Sequence, residues 1–100
     1  MKYLTLMPDY TGSCIRDDFE GQIEPTLLGL PQSFLRRLYT WQDLYKKIIP
    51  LDQDEREKKI HEIERLDQEG LSLAKELRQL IPGGAKVKYF SEGLGKIIHS

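Results

Sequence analysis

The sequence has one cysteine and two histidines, which is very few of the residues that build disulfides, zinc sites and nucleophilic centres. Cys14 alone can form no intramolecular disulfide, which fits a reducing compartment. His61 and His99 lie far apart, and Arg65 stands where a zinc-protease helix needs its second histidine. We therefore expect no metal site, no cofactor and no catalytic residues. An enzyme that uses Cys14 or clustered carboxylates is a minor alternative, because nothing in the sequence nominates a general base.

The chain also lacks an excess of either charge and any long apolar run. Its net charge is −1, from 15 basic and 16 acidic residues, so no basic field is present to hold phosphates and no direct nucleic-acid binding is expected. No segment approaches the roughly 18 apolar residues of a membrane helix, and Pro8 ends the short N-terminal apolar run. We expect a cytoplasmic protein that makes no membrane contact.

Length and periodicity predict a single domain, 1–100. Residues 2–7 read as a strand, 8–30 as a long acidic loop with a weakly indicated strand near Gln22–Glu24, and 31–49 as a helix. Asp52 and Glu55 have the spacing of a capping box that opens a second helix over 53–81, and a helix of this length is expected to kink near Gly70. A closing strand is expected over 85–90, followed by a tail over 91–100.

These elements predict an α-rich α/β fold. We expect a small two-stranded sheet packed on an antiparallel helical hairpin, in the order strand, long loop, helix, helix, strand. Because the short joint between the helices brings the last strand back beside the first, the two strands are expected to be parallel. The helix over 31–49 has a single apolar stripe, formed by Phe34, Leu38, Trp41, Tyr45 and Ile48. Trp41 and Tyr45 continue this stripe and are therefore interpreted as core residues.

The loop over 8–30 carries a concentration of negative charge. Five acidic residues against the single basic residue Arg16 give this segment a net charge of −4, while charges elsewhere nearly cancel. The carboxylate spacing does not fit a calcium loop. One interpretation is a solvated loop, and the other is an acidic surface directed at a basic partner. The candidate partner-binding residues are Asp9, Tyr10, Asp17, Asp18, Glu20 and Glu24.

A family resemblance runs through most of the chain. An N-terminal strand leads into Asp9-Tyr10, and a helix carries the Trp41/Tyr45 pair. A second helix with Gly70-Leu-Ser-Leu-Ala-Lys-Glu-Leu77 then leads to the strand Val87-Lys-Tyr-Phe90. Chains of this build are similar to the immunity proteins that accompany contact-dependent growth-inhibition toxins. The sequence departs from many of them in having Phe19 where a tryptophan follows the Asp-Tyr loop.

The resemblance implies a small cytosolic protein that blocks the nuclease domain at the C-terminus of a delivered toxin. The leading hypothesis is therefore an immunity protein that neutralises an RNA-cleaving toxin, an RNase or tRNase, through its acidic loop. The alternative is a homo-oligomeric structural or adaptor protein. In that reading Gly70 and Ala74, one turn apart on the second helix, allow close approach of a second copy.

Overall fold

The structure is a computed structural model that describes residues 1–10 and 13–98. Its sheet is mixed and has five strands, and the N-terminal strand lies next to the long strand that follows the helices. His99, which the sequence gives no obvious partner, lies outside the described residues. The strands are β1 (Lys2–Leu6), β2 (Ile15–Asp17), β3 (Gly21–Ile23), β4 (Ala85–Ser91) and β5 (Lys96–Ile98). The helices are α1 (Gln32–Tyr45), α2 (Gln53–Lys58) and α3 (Ile60–Leu80), and a 3-10 turn covers Pro25–Leu28.

The sheet has the order β3-β2-β1-β4-β5, so the expectation of a two-stranded sheet is wrong. β1 and β4 pair in parallel, and every other pair is antiparallel. The parallel pair is possible because the helices between β1 and β4 supply the long crossover that it needs. The hairpin β2–β3 extends the sheet on one side, within the segment expected to be a loop. On the other side β5 pairs with β4 from within the expected tail.

The second helical region is broken near its start. The predicted capping box is confirmed: the Asp52 carboxylate accepts the Glu55 N–H at 2.8 Å, and the Glu55 carboxylate accepts the Asp52 N–H at 3.3 Å. A single helix over 53–81 is not formed, because Lys59, at φ −105° and ψ 16°, separates α2 from α3. The break thus lies at Lys59 and not near Gly70.

Helices cover one face of the sheet. Residues of β4 alternate, with Val87 and Tyr89 buried and Lys86 and Lys88 exposed. The same alternation places Leu4 and Leu6 of β1 in the core. The stripe on α1 predicted from periodicity is also buried there, and it comprises Phe34, Leu38, Trp41, Tyr45 and, just beyond the helix, Ile48. Along the described chain, no helix combines the length and the apolar character that crossing a bilayer requires.

A buried carboxylate ties the helices to the sheet. Asp67 on α3 is 5% exposed, and one of its oxygens accepts hydrogen bonds from the Tyr45 hydroxyl at 2.9 Å and the Tyr89 hydroxyl at 2.6 Å. The Ser91 hydroxyl donates to the other oxygen at 2.7 Å. The Tyr45 oxygen in turn accepts the Gly93 N–H at 2.8 Å. Burial raises the pKa of Tyr45 to about 12, and it also raises the pKa of Tyr89.

The small residues of α3 are covered by the chain's own sheet. A Cβ atom at Gly70 would overlap the Tyr89 ring, and Ala74 is buried. Gly70 is therefore the residue that lets Tyr89 lie against the helix and reach Asp67. The homo-oligomeric alternative required this face of α3 to be free for contact with a second copy. The face is instead covered by the chain's own sheet.

Candidate partner-binding surface

The β2–β3 hairpin presents three residues at its tip, Asp18, Phe19 and Glu20, which we call the hairpin tip. Asp17, just before them, turns its carboxylate inward and accepts the N–H groups of Phe19 at 2.8 Å and Glu20 at 3.1 Å. These two hydrogen bonds lower the pKa of Asp17, and the bond from Phe19 has the larger effect. Gly21, at φ +92°, closes the turn in a conformation that favours glycine. Asp17 thus shapes the tip.

Asp18 is engaged with the sheet. Its carboxylate accepts the Thr5 hydroxyl at 2.7 Å and forms an ion pair with Lys88 at 3.2 Å. Its backbone N–H donates to the Tyr3 carbonyl at 2.9 Å. The tip is consequently fixed to both central strands. Glu20 is exposed.

The remaining predicted residues lie at the opposite end of the hairpin. The Asp9 N–H donates to the side-chain oxygen of Gln42 at 3.0 Å, and the Asp9 carboxylate accepts the Gln22 amide at 2.6 Å. Glu24 is exposed and accepts a long hydrogen bond of 3.4 Å from the Tyr39 hydroxyl. Tyr10 is 56% exposed. Asp9 and Tyr10 also line a cavity of about 290 Å³, together with Arg16.

The structure therefore divides the six predicted residues into two groups. The register of the strands sets this division. Asp17 lies opposite Leu4 of β1. At the other end of the hairpin Ile23 lies opposite Ile15, and Ile15 pairs with Leu6. At about 3.3 Å per residue, the two ends of the hairpin are several ångströms apart along the strands. Asp17, Asp18 and Glu20 lie at one end, and Asp9, Tyr10 and Glu24 lie at the other.

The hairpin tip continues onto the uncovered face of the sheet. The ring of Phe19 packs edge-on against Tyr3, with 5.8 Å between centroids and 88° between planes. Lys86, which pairs with Tyr3 across the parallel strands, holds its ammonium group 6.0 Å from the Tyr3 ring centroid. We call Tyr3 and Phe19 together the aromatic pair. Arg16 and Lys88 are exposed on the same face, on either side of Thr5.

A second concave region lies between α1 and α3. This groove of about 590 Å³ has Trp41, Leu44 and Leu66 among its lining residues. Arg37 spans it with ion pairs to Glu69 at 3.2 Å and Glu76 at 2.8 Å. Across the part of the chain that the structure describes, no group of three or more metal-ligating side chains occurs in this groove or elsewhere.

Cys14 lies in the core and not at the surface. Its side chain is fully buried in the core, and this burial raises the pKa of the thiol to about 12. A thiol in that environment stays protonated at neutral pH and out of reach of substrates. The enzymatic alternative that depends on Cys14 therefore has no structural support.

Comparison with known families assigns the chain. A family model described as Serratia CdiI immunity protein-like matches residues 2–92, which cover every helix and all strands except β5. The chain belongs to this family. The resemblance to immunity proteins read from the sequence is thereby confirmed. No curated protein matches the chain.

Sequence reasoning missed two features of this CdiI-like chain that the structure makes prominent. The first is the aromatic pair beside exposed lysines, which the alternation of Lys86 and Lys88 with Ala85, Val87 and Tyr89 could have indicated. The second is the hairpin itself. Ile15-Arg-Asp and Gly21-Gln-Ile flank a three-residue connection that is followed by a glycine, a pattern typical of short hairpins.

Proposed function

We propose that this CdiI-like protein binds and neutralises a cognate bacterial toxin, and that the toxin domain is an RNA-cleaving nuclease. The observation that carries the proposal is the family match over residues 2–92. The distribution of charge supports the choice of a nuclease. The active site of a nuclease holds phosphates and is therefore basic, so an acidic protein surface is its natural complement.

Within the acidic segment over 8–30, the exposed residues are the ones suited to contact a basic toxin surface. Glu20 and Glu24 are exposed at opposite ends of the hairpin, and Tyr10 offers a large amphipathic ring of the type that often anchors interfaces. Asp9 and Asp18 also belong to the proposed surface, although each already has a partner within the chain. Asp17 contributes by holding the tip in shape, since its carboxylate is used by the turn.

Charge reversal at exposed sites tests the acidic contact without disturbing the fold. We expect Glu20→Lys combined with Glu24→Lys to slow association with an inactivated toxin domain about tenfold or more at low salt, because both steering charges are inverted. The difference should shrink as salt screens the exposed charges. The measurement is the association rate constant by stopped flow at several ionic strengths.

A matched control separates local steering from net charge. Glu57→Lys with Glu64→Lys makes the same change in net charge at exposed positions on α2 and α3, outside the acidic segment. This control should associate within about threefold of the natural chain. Equal slowing in both double variants would mean that only overall charge matters, and it would reject the acidic segment as the contact surface.

A further inference from the structure

The uncovered face of the sheet is unusual in combining exposed aromatic rings with cations. Outward-facing positions on the three central strands place Tyr3 beside Lys86, and Arg16 and Lys88 on either side of Thr5. None of the described helices packs on this face, because α1 and α3 lie against the opposite one, where the core residues are. The face is thus open for a partner.

Phe19 is the most exposed apolar side chain on this surface, at 81%, and it also has contacts within the chain. Its backbone N–H is held by the Asp17 carboxylate, and its ring rests against Tyr3. A contact that favours one position of a large apolar side chain reduces the conformational freedom lost on binding, which suits an interface anchor. The aromatic pair therefore has the character of a preorganised contact centre.

Charge on this face identifies the chemistry of the partner. Lys88 is neutralised by Asp18, but Arg16 and Lys86 have no ion pair among residues 1–10 and 13–98. Arg16 and Lys86 are therefore the two cations on this face that carboxylates of a partner can pair with, although the chain as a whole is −1. A second copy stacked on this face would bring these cations toward like charges. A phosphate backbone laid over Phe19 would meet the carboxylates of Asp18 and Glu20. The partner that fits this face is therefore another protein, with an apolar pocket for the aromatic pair and acidic residues beside that pocket.

We propose that the toxin domain docks on the open sheet face, with Phe19 and Tyr3 filling an apolar pocket of the toxin whose acidic rim meets Arg16 and Lys86. The proposal rests on the toxin-binding function proposed above and adds to it a specific docking surface. The hairpin tip then joins two contacts: its carboxylates meet the basic part of the toxin, and its aromatic ring meets the apolar part.

The test compares two equally exposed apolar residues. Phe19→Ala in the full-length chain should weaken binding to an inactivated toxin domain at least about thirtyfold, as expected for the loss of an aromatic anchor. Leu27→Ala, at a residue 80% exposed on the 3-10 turn, is the matched control and should bind within about threefold of the natural chain. Calorimetric titration gives the dissociation constants, and circular dichroism checks that both variants are folded.

The outcomes are distinct. Binding by Phe19→Ala within threefold of the natural chain, with toxin protection intact, would overturn the docking surface and leave the immunity function standing. Failure of the natural chain itself to bind would overturn both. Concentration-dependent dimerisation of the free chain, abolished by Phe19→Ala in analytical ultracentrifugation, would show that a second copy occupies the face and would also overturn the proposal.

Discussion

Replacing Asp67 with alanine is expected to lower the free energy of unfolding by about 3–5 kcal/mol, because three buried hydroxyl donors lose their acceptor together. The hydroxyl groups of Tyr45, Tyr89 and Ser91 all donate to this carboxylate. An unsatisfied buried polar group costs about 1–3 kcal/mol, so the loss is large even if one donor finds water. The measurement is urea unfolding followed by circular dichroism.

The control for this variant is Gln68→Ala, one residue along the same helix at an exposed position. It should change stability by no more than about 0.5 kcal/mol. Tyr45→Phe should lower the free energy of unfolding less in the Asp67→Ala background than in the natural chain, because the acceptor of the Tyr45 hydroxyl is already absent there. A loss below about 1 kcal/mol for Asp67→Ala would mean that the network does not hold the helices to the sheet.

Gly70→Ala is expected to destabilise the protein by about 2–3 kcal/mol, although the same change at an exposed helix position is stabilising. Alanine gains about 1 kcal/mol over glycine in helix propensity. Here its Cβ would overlap the ring of Tyr89, and that ring is buried and bonded to Asp67, so it cannot simply swing away. Thermal and urea unfolding measure whether Gly70→Ala lowers or raises the free energy of unfolding.

A double substitution identifies the cause. In a Tyr89→Leu background the ring is absent, so Gly70→Ala should become neutral or stabilising. Ser72→Ala, at an exposed position two residues along α3, should give a small gain in both backgrounds. An unchanged penalty for Gly70→Ala in the Tyr89→Leu background would show that the close approach to Tyr89 is not what requires glycine.

Long periodic elements were predictable from the sequence. The stripe from Phe34 to Ile48 and the Asp52/Glu55 capping box follow from local physics, and both occur as expected. The parallel neighbours β1 and β4 follow from the crossover through the helices. β2 and β5 were missed, and β3 was only weakly indicated near Gln22–Glu24, because each has three residues, too few to show a period. The glycine after the β2–β3 connection could have indicated that hairpin, but the pairing of β2 with β1 depends on tertiary contacts that no local pattern encodes.

The candidate surface was predictable in composition but not in arrangement. The acidic character of the segment over 8–30 is a property of the sequence. Its division into two groups depends on the register of the hairpin, which decides that Asp17 turns inward while Glu20 stays exposed. The role of Asp67 was hidden for a related reason. A carboxylate within an apolar helical stripe reads as an irregularity until its donors on α1 and β4 are known.

The most direct test of the central claim, that the chain neutralises a toxin, is co-expression with the C-terminal domain of the protein encoded immediately upstream. Growth and co-purification are scored together, with an inactivated toxin domain as the reference for growth. We predict that the natural chain restores growth and co-purifies with the toxin domain. Toxicity that persists while the chain is folded and abundant, with no complex recovered, would contradict the claim.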